Sequence, residues 1–98
     1  MDKERILGIL REHEPDLKAA GVLHLHLFGS VARGDNTPAS DVDLLFDCDE
    51  AKAETLLSLY GLENRITDSL GFPVHLSSAK YIRPQIRKRV MREAVLAF

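Results

Sequence analysis

The chain has 98 residues, of which 45% are apolar and 29% charged, and its formal net charge is −2. This length predicts a single domain over residues 1–98, and the balanced charge gives no support for a nucleic-acid-binding protein. The chain has one cysteine, Cys48, so an internal disulfide is excluded and a cysteine-based metal site is not expected. No apolar run approaches the ~20 residues that span a bilayer, and the N-terminus lacks a signal-peptide core. We therefore expect a cytoplasmic protein without a membrane segment.

Two helical segments are predicted before the first strand. Residues 2–13 carry apolar side chains at 3.6-residue spacing, and Asp2 is suited to cap this helix. Pro15 interrupts the pattern. Asp16 is then predicted to cap a short second turn that ends at Gly21.

Residues 22–28 alternate in a way that predicts a β-strand. Its leucines are expected to share one face: Leu23, Leu25 and Leu27. His24 and His26 then lie on the opposite face. Two histidines at this spacing can share a metal ion, or they can simply occupy the less buried side of a sheet.

Gly29 and Ser30 end this strand, and the segment that follows is suited to one or two helical turns. A glycine at such a corner lets a phosphate approach the backbone, while Ser30 and the first N–H groups of the helix can donate to phosphate oxygens. Arg33, one turn further on, can add a charge-assisted contact. The alternative is a purely structural corner in which Ser30 caps the short helix.

A polar loop over residues 34–40 leads to a second predicted strand, residues 41–48. Alternation places Asp41 and Asp43 on one face of this strand. The opposite face is expected to carry apolar side chains: Val42, Leu44 and Phe46. Two neighbouring carboxylates repel each other, and a divalent cation such as Mg²⁺, which prefers hard oxygen ligands, would stabilise them. The alternative is a solvated strand entrance, which the preceding phosphate-type turn makes less favourable.

The second half of the chain alternates helix and strand again. Residues 50–70 are predicted to form the longest helix, with Gly61 as a weak point and Gly71 as its stop. Residues 73–77 are predicted to form a third strand. His75 is expected to point away from the face that its two apolar neighbours share.

The last predicted helix begins at Pro84 and runs to about residue 96. An apolar stripe is expected to line its inner side: Ile82, Ile86, Val90, Ala94 and Val95. Residues 80–92 contain six basic residues and no acid, whereas residues 35–54 contain seven acids and one base. The basic side is expected to be a solvated face, and a surface for a partner or a phosphate is the alternative.

This order of elements indicates a mixed α/β, or α+β, domain. We expect a short mixed sheet of about three to four strands, with helices packed mainly on one face and an open active-site face. The open face would carry the polar side chains singled out above: Ser30, Asp41, Asp43 and His75.

The segment GSVARG, five further residues and then SDVDLL resemble the signature of the minimal nucleotidyltransferases, within the polymerase β-like nucleotidyltransferase superfamily. The first helix, the PVHL strand and the basic C-terminal segment are also similar to such a domain, so the resemblance covers nearly the whole chain. It implies that Gly29 and Ser30 hold the β- and γ-phosphates of a nucleoside triphosphate. Arg33 occupies the basic position of the motif and would assist them.

The resemblance further implies that Asp41 and Asp43 bind two Mg²⁺ ions, with Mn²⁺ as an alternative, which activate an attacking hydroxyl and neutralise the leaving pyrophosphate. Ser40 would position the loop that leads to these carboxylates. Many relatives carry a third carboxylate where this chain has His75. An imidazole is a softer ligand than Mg²⁺ prefers, although His75 can act as a general base.

In this family such domains are often encoded beside a small helical HEPN-domain protein, which they neutralise by binding it and by transferring AMP to a tyrosine. The resemblance therefore implies an adenylyltransferase-type enzyme and antitoxin that transfers AMP from ATP to a hydroxyl of a HEPN partner. His75 raises the alternative of an antitoxin that acts by binding alone. A third hypothesis is a fragment completed by a second subunit, for example in a homo-oligomer. A nucleic-acid acceptor is not expected, because the sequence offers no aromatic-rich groove.

Overall fold

A computed structural model describes residues 2–49 and 56–98. In chain order its elements are α1 (Lys3–Glu12), α2 (Glu14–Ala19), β1 (Val22–Phe28), α3 (Gly29–Arg33), β2 (Val42–Cys48), α4 (Leu56–Leu70), β3 (Val74–Ser78), a 3₁₀ turn (Ala79–Tyr81), α5 (Pro84–Glu93) and β4 (Val95–Leu96). The predicted helix over residues 50–70 is seen here as α4, and its first six positions lie outside the described residues. No helix in the described ranges is long and apolar enough to cross a membrane.

The strands form one mixed sheet in the order β3-β2-β1-β4. β1 pairs antiparallel with β2 on one side and with β4 on the other, and β2 pairs parallel with β3. A parallel pair needs a crossover connection, and the segment containing α4 supplies it. The predicted fold class, a small mixed α/β domain with a short mixed sheet, is confirmed.

The hydrophobic core lies between one face of the sheet and the helices α1, α2 and α4. The strands contribute alternate side chains to it, and each helix contributes one apolar stripe: Ile6, Leu7, Leu10, Leu17, Leu25, Leu27, Val42, Leu44, Phe46, Ile66, Leu70 and Val74. Fully burying a leucine or valine stabilises the fold by roughly 1.5–3 kcal/mol before conformational entropy is counted. On the opposite face, β2 and β3 carry the polar side chains of Asp43 and His75, while Leu45 of β2 is also buried there and is 1% exposed.

Local capping fixes where several helices begin and end. The Asp2 carboxylate accepts a hydrogen bond from the Glu4 N–H, so the predicted cap of α1 is confirmed. Gly71 has a positive φ of 75° and follows the last residue of α4, while the helix continues through Gly61. The predicted cap at Asp16 is wrong: α2 begins at Glu14 after His13, because Pro15 fits the first helical turn, where its missing N–H costs nothing.

Leu23 is a second correction, since its side chain is 47% exposed instead of sharing the core face. The register of β1 against β2 shifts between Val22 and His24, which is the signature of a β-bulge. Below the bulge Val22 takes the buried position and is 2% exposed. Leu25 and Leu27 keep the predicted core face.

The last predicted helix is shorter than expected and its inner stripe is not buried. α5 ends at Glu93, and Leu96 and Val95 then pair with His26 and Leu27 as the edge strand β4. No residue of α5, all of which is described, is buried, and Ile86 is 50% exposed. The predicted start at Pro84 is confirmed.

Candidate active site

Asp43 lies at the centre of the candidate site. In the sheet it pairs with Phe28, the last residue of β1, and with His75 of β3. Alternation turns its side chain away from the core that Val42 and Leu44 enter, onto the open face of the sheet. Asp43 is half-buried and His75 is exposed, so exposure to solvent increases from β2 to β3 along this line of paired residues.

Gly29 forms that corner, and the Asp43 carboxylate occupies the space where a side chain of residue 29 would lie. A Cβ atom built on Gly29 would lie 3.2 Å from Asp43 Cγ and within overlap distance of Oδ2. Its backbone φ is +77°, a conformation that residues with a side chain rarely adopt. Two independent constraints therefore require glycine here, and the second is set by the carboxylate itself.

The short helix α3 starts directly at this glycine. Phe28 occupies the N-cap position and makes no side-chain cap hydrogen bond, so the alternative in which Ser30 caps the helix is wrong. Ser30 lies inside the first turn, where its carbonyl accepts from Gly34 N at 2.9 Å and from Asp35 N at 3.1 Å. The first N–H groups of any helix lack partners within it, so those of α3 are available to an anion beside Asp43.

Asp41 and Ser40 immediately precede β2. Thr37 and Ser40 bind each other reciprocally, since Thr37 N donates to Ser40 Oγ at 2.8 Å and Ser40 N donates to Thr37 O at 3.0 Å. Ser40 thus closes the turn that leads into the strand. Asp41 is exposed, and Val42 N donates to Pro73 O at 2.9 Å, which anchors the entrance of β2 beside β3.

The electrostatic environment of Asp43 links these residues. Burial raises the pKa of Asp43; the neighbouring charge of His75 opposes this, that of Asp41 adds to it, and that of Arg33 also opposes it. Asp41, His75 and Arg33 are therefore all close enough to act on one carboxylate. The structure brings them together with Gly29 at one end of the sheet.

The two carboxylates provide hard oxygen donors suited to Mg²⁺. Within residues 2–49 and 56–98 no group of three or more His, Cys, Asp or Glu side chains is arranged to hold a metal ion. Mg²⁺ characteristically uses one or two carboxylates and completes its octahedron with waters and substrate phosphates. The pair Asp41 and Asp43 fits that pattern, because the positive charge would offset both their mutual repulsion and the burial of Asp43.

Arg33 has partners that the sequence did not indicate. Its Nε donates to Asp35 Oδ2 at 3.2 Å and its Nη1 donates to Glu93 Oε2 at 3.1 Å. These hydrogen bonds raise the pKa of Arg33 further above its ordinary value. The only hint was that Glu93 is the first acid after a long basic segment.

His24 and His26 lie on the same face of the sheet as Asp43, but further along β1. His24 pairs with Asp47 and His26 with Leu45. Burial lowers the pKa of His26, against the raising effect of Asp47 and with a further lowering by His24. These two histidines are not grouped with a third metal-ligating side chain anywhere in the described residues.

The raised pKa of Asp43 predicts a pH-dependent cost in stability. A carboxyl group with a higher pKa in the folded state binds its proton more tightly there, so the fold loses stability as pH rises from the unfolded pKa of about 4 through the folded value. Asp43→Asn is therefore expected to increase the free energy of unfolding at pH 7, and the gain should vanish as pH falls towards 4. Urea denaturation without divalent cations measures this.

Asp68→Asn is the matched control, because Asp68 is an exposed acid of α4. It should change the free energy of unfolding little at either pH. A loss of stability at pH 7 in the Asp43 variant, or a gain that is independent of pH, would contradict the conclusion that burial raises the pKa of Asp43.

A mixed sheet with a glycine corner packed against Asp43 on the adjacent strand, and with Asp41 directly before that strand, is the arrangement of a nucleotidyltransferase fold. Residues 3–97 match the family described as nucleotidyltransferase domain, and the chain belongs to this family. The predicted membership among the minimal nucleotidyltransferases is confirmed by the relatives that follow.

The chain is 37% identical over 93 residues to protein adenylyltransferase MntA of Thermococcus cleftensis, covering 94% of this chain and 92% of the relative. A solved structure described as a "putative minimal nucleotidyltransferase" is 35% identical, has a TM-score of 0.80, and aligns over 97% of this chain and 95% of that one. A solved complex described as tri-AMPylated Shewanella oneidensis HEPN toxin with MNT antitoxin contains a chain with the same fold. The identity there is 17% and the TM-score 0.61, over 98% of this chain and 68% of that one.

Proposed function

We propose that this chain is an adenylyltransferase that moves AMP from ATP onto a hydroxyl group of a HEPN-type partner protein, as the antitoxin of a toxin–antitoxin pair. The observation that carries the proposal is the packing of the Asp43 carboxylate against Gly29, with Asp41 two residues earlier at the entrance of the same strand. This places carboxylates next to the start of a helix, where a phosphate chain and its divalent cation would meet.

In this proposal the corner at Gly29 and Ser30 binds the β- and γ-phosphates. The backbone can approach the phosphate closely because residue 29 has no side chain, and the Ser30 hydroxyl and first N–H groups of α3 donate to the oxygens. Arg33 adds a positive charge one turn further on. Ser40 holds the turn that sets Asp41 at the entrance of β2.

Asp41 and Asp43 hold the divalent cation, Mg²⁺ or Mn²⁺. When bound, the metal polarises phosphate oxygens and lowers the pKa of the attacking hydroxyl. The acceptor oxygen attacks the α-phosphorus of ATP, a new P–O bond forms, and the bond to the leaving pyrophosphate breaks. His75, exposed beside Asp43, accepts the proton of the hydroxyl as a general base.

The nature of the acceptor is supported by the names of the relatives. MntA of Thermococcus cleftensis is a protein adenylyltransferase, and the Shewanella oneidensis complex joins an AMPylated HEPN toxin to an MNT antitoxin. The first relative is of nearly the same length as this chain. A protein acceptor of the HEPN class is thus the one that these relatives favour.

One observation favours a second function, in which the chain neutralises its partner by binding without transfer. His75 lies in register with Asp43, where it brings an imidazole instead of a further carboxylate next to the proposed metal ligands. With two carboxylates the cation would be held less tightly than with three, and turnover would suffer.

The two functions are separated by incubating the protein with ATP labelled at the α-phosphate, Mg²⁺ or Mn²⁺, and a HEPN-type protein from the same organism. Label covalently attached to the partner supports the enzyme. A stable complex without label supports the antitoxin that only binds. If no complex forms and no label is transferred, both functions are refuted.

His75→Asp tests which role the imidazole has. Changing one residue around a metal site typically alters the affinity for the metal about 10- to 100-fold. If the missing carboxylate limits the reaction, the variant should therefore bind Mn²⁺ about tenfold more tightly and transfer AMP faster. His75→Asn is the control, because it removes the base without adding a charge. A slower rate for both variants would instead identify His75 as the general base.

A further inference from the structure

Arg33 lies between the proposed phosphate site and the end of α5. α3 carries the Gly29 corner at its first residue and Arg33 at its last, so the two lie four positions apart, about one helical turn. The guanidinium is 43% exposed and donates in two directions, to Asp35 next to α3 and to Glu93 at the last residue of α5. Glu93 is separated from Arg33 by 60 positions in sequence, so this contact is a product of the fold.

The charges of this cluster do not cancel. One guanidinium faces two carboxylates, so the group Arg33, Asp35 and Glu93 has a net charge of −1 when all three are ionised. Such a cluster repels a triphosphate, although its central residue is the cation at the basic position of the phosphate motif. An arginine offers five N–H donors in a fixed fork, and carboxylates compete with phosphates for the same donors.

We propose that Glu93 competes with the nucleotide for Arg33: in the free protein Glu93 holds the guanidinium, and a phosphate group of the bound triphosphate displaces it. This inference rests on the proposed function, since it uses the same phosphate site. Glu93 is then a positioning residue that lowers the affinity for nucleotide, and it acts only through Arg33.

The released carboxylate has another basic neighbour. Arg89 lies four residues before Glu93 on α5, which places the two side chains on the same side of the helix. No ion pair of Arg89 is present among the described residues. Exchange of Glu93 from Arg33 to Arg89 therefore replaces one exposed ion pair by another.

The test measures binding of Mg-ATP by isothermal titration calorimetry to the full chain. Glu93 Oε2 lies 3.1 Å from Arg33 Nη1 in an exposed ion pair, and removing its charge should lower the Kd of Glu93→Gln about fivefold. The KM for ATP should fall by the same factor with kcat unchanged, because the competition is relieved before the chemical step. Arg33→Gln should raise the Kd, and adding Glu93→Gln to it should have no further effect, because Glu93 acts only through Arg33.

Glu12→Gln is the matched control, because it removes the same charge from an exposed position of α1. It should leave the Kd unchanged, which separates a local effect from the change in net charge. Glu93→Asp retains the charge and should keep the Kd close to that of the unaltered protein.

If the unaltered protein binds Mg-ATP and Glu93→Gln binds it equally or more weakly, the inference is overturned while the proposed function stands. An additive effect in the double variant overturns it too. If neither protein binds Mg-ATP, the proposed function fails and the inference fails with it.

Discussion

Asp43→Asn is expected to reduce the rate of AMP transfer to the partner by about 10³-fold, because a lost metal ligand removes several kcal/mol of transition-state stabilisation and each 1.36 kcal/mol is a factor of ten. The amide keeps the shape of the carboxylate, so it still fits the space beside Gly29. It lacks the negative charge that would attract the cation. The rate of transfer is measured with ATP labelled at the α-phosphate, under saturating Mg²⁺.

The same substitution at Asp47 is the matched control. Asp47 lies on the same strand and the same face as Asp43, but it pairs with His24 at the far end of β1. Asp47→Asn should leave the rate unchanged. Because Asp43→Asn is also expected to make the metal-free fold more stable at pH 7, loss of transfer in that variant cannot be attributed to unfolding. A rate close to that of the unaltered protein would remove Asp43 from the site.

The parts of the site that lie within one strand or turn could be predicted from the sequence. Alternation along β2 and β3 placed Asp43 and His75 on the open face, and their side-by-side position follows from the parallel pairing of those strands. The glycine corner was predicted from its position after an apolar run. Its close packing against Asp43 could not be, because it depends on how β1 is paired with β2.

The features that were missed depend on contacts between distant segments. The bulge that exposes Leu23 does not change the alternation of apolar and polar residues in β1, so the sequence does not predict it. β4 is only two residues long, and its sequence also fits the end of a helix, so its pairing with β1 was not predicted. The ion pair of Glu93 could not be predicted either, because its partner Arg33 lies 60 positions away in sequence. Local propensity gives way to tertiary pairing at each of these positions.

Gly29→Ala is expected to reduce the rate of transfer about 100-fold, roughly ten times less than the loss of the Asp43 carboxylate. The new methyl group would overlap Asp43 Oδ2, so the carboxylate must leave its position at the corner. The positive φ of residue 29 adds backbone strain that costs about 1–3 kcal/mol in such regions. Displacement of a ligand by about 1 Å is enough to reduce catalysis about 100-fold. Transfer of labelled AMP and urea denaturation together measure the two effects.

Gly34→Ala separates the strain from the overlap. Gly34 caps α3 with a φ of +83°, close to that of Gly29, but a Cβ atom built there has no heavy atom within 4 Å. Gly34→Ala should therefore lose a similar amount of folding free energy while its transfer rate, measured below its unfolding temperature, stays close to that of the unaltered protein. Gly29→Ala should lose both. Equal transfer rates in the two alanine variants would mean that the contact between residue 29 and Asp43 does not matter for catalysis, and the site would have to be sought elsewhere on the sheet.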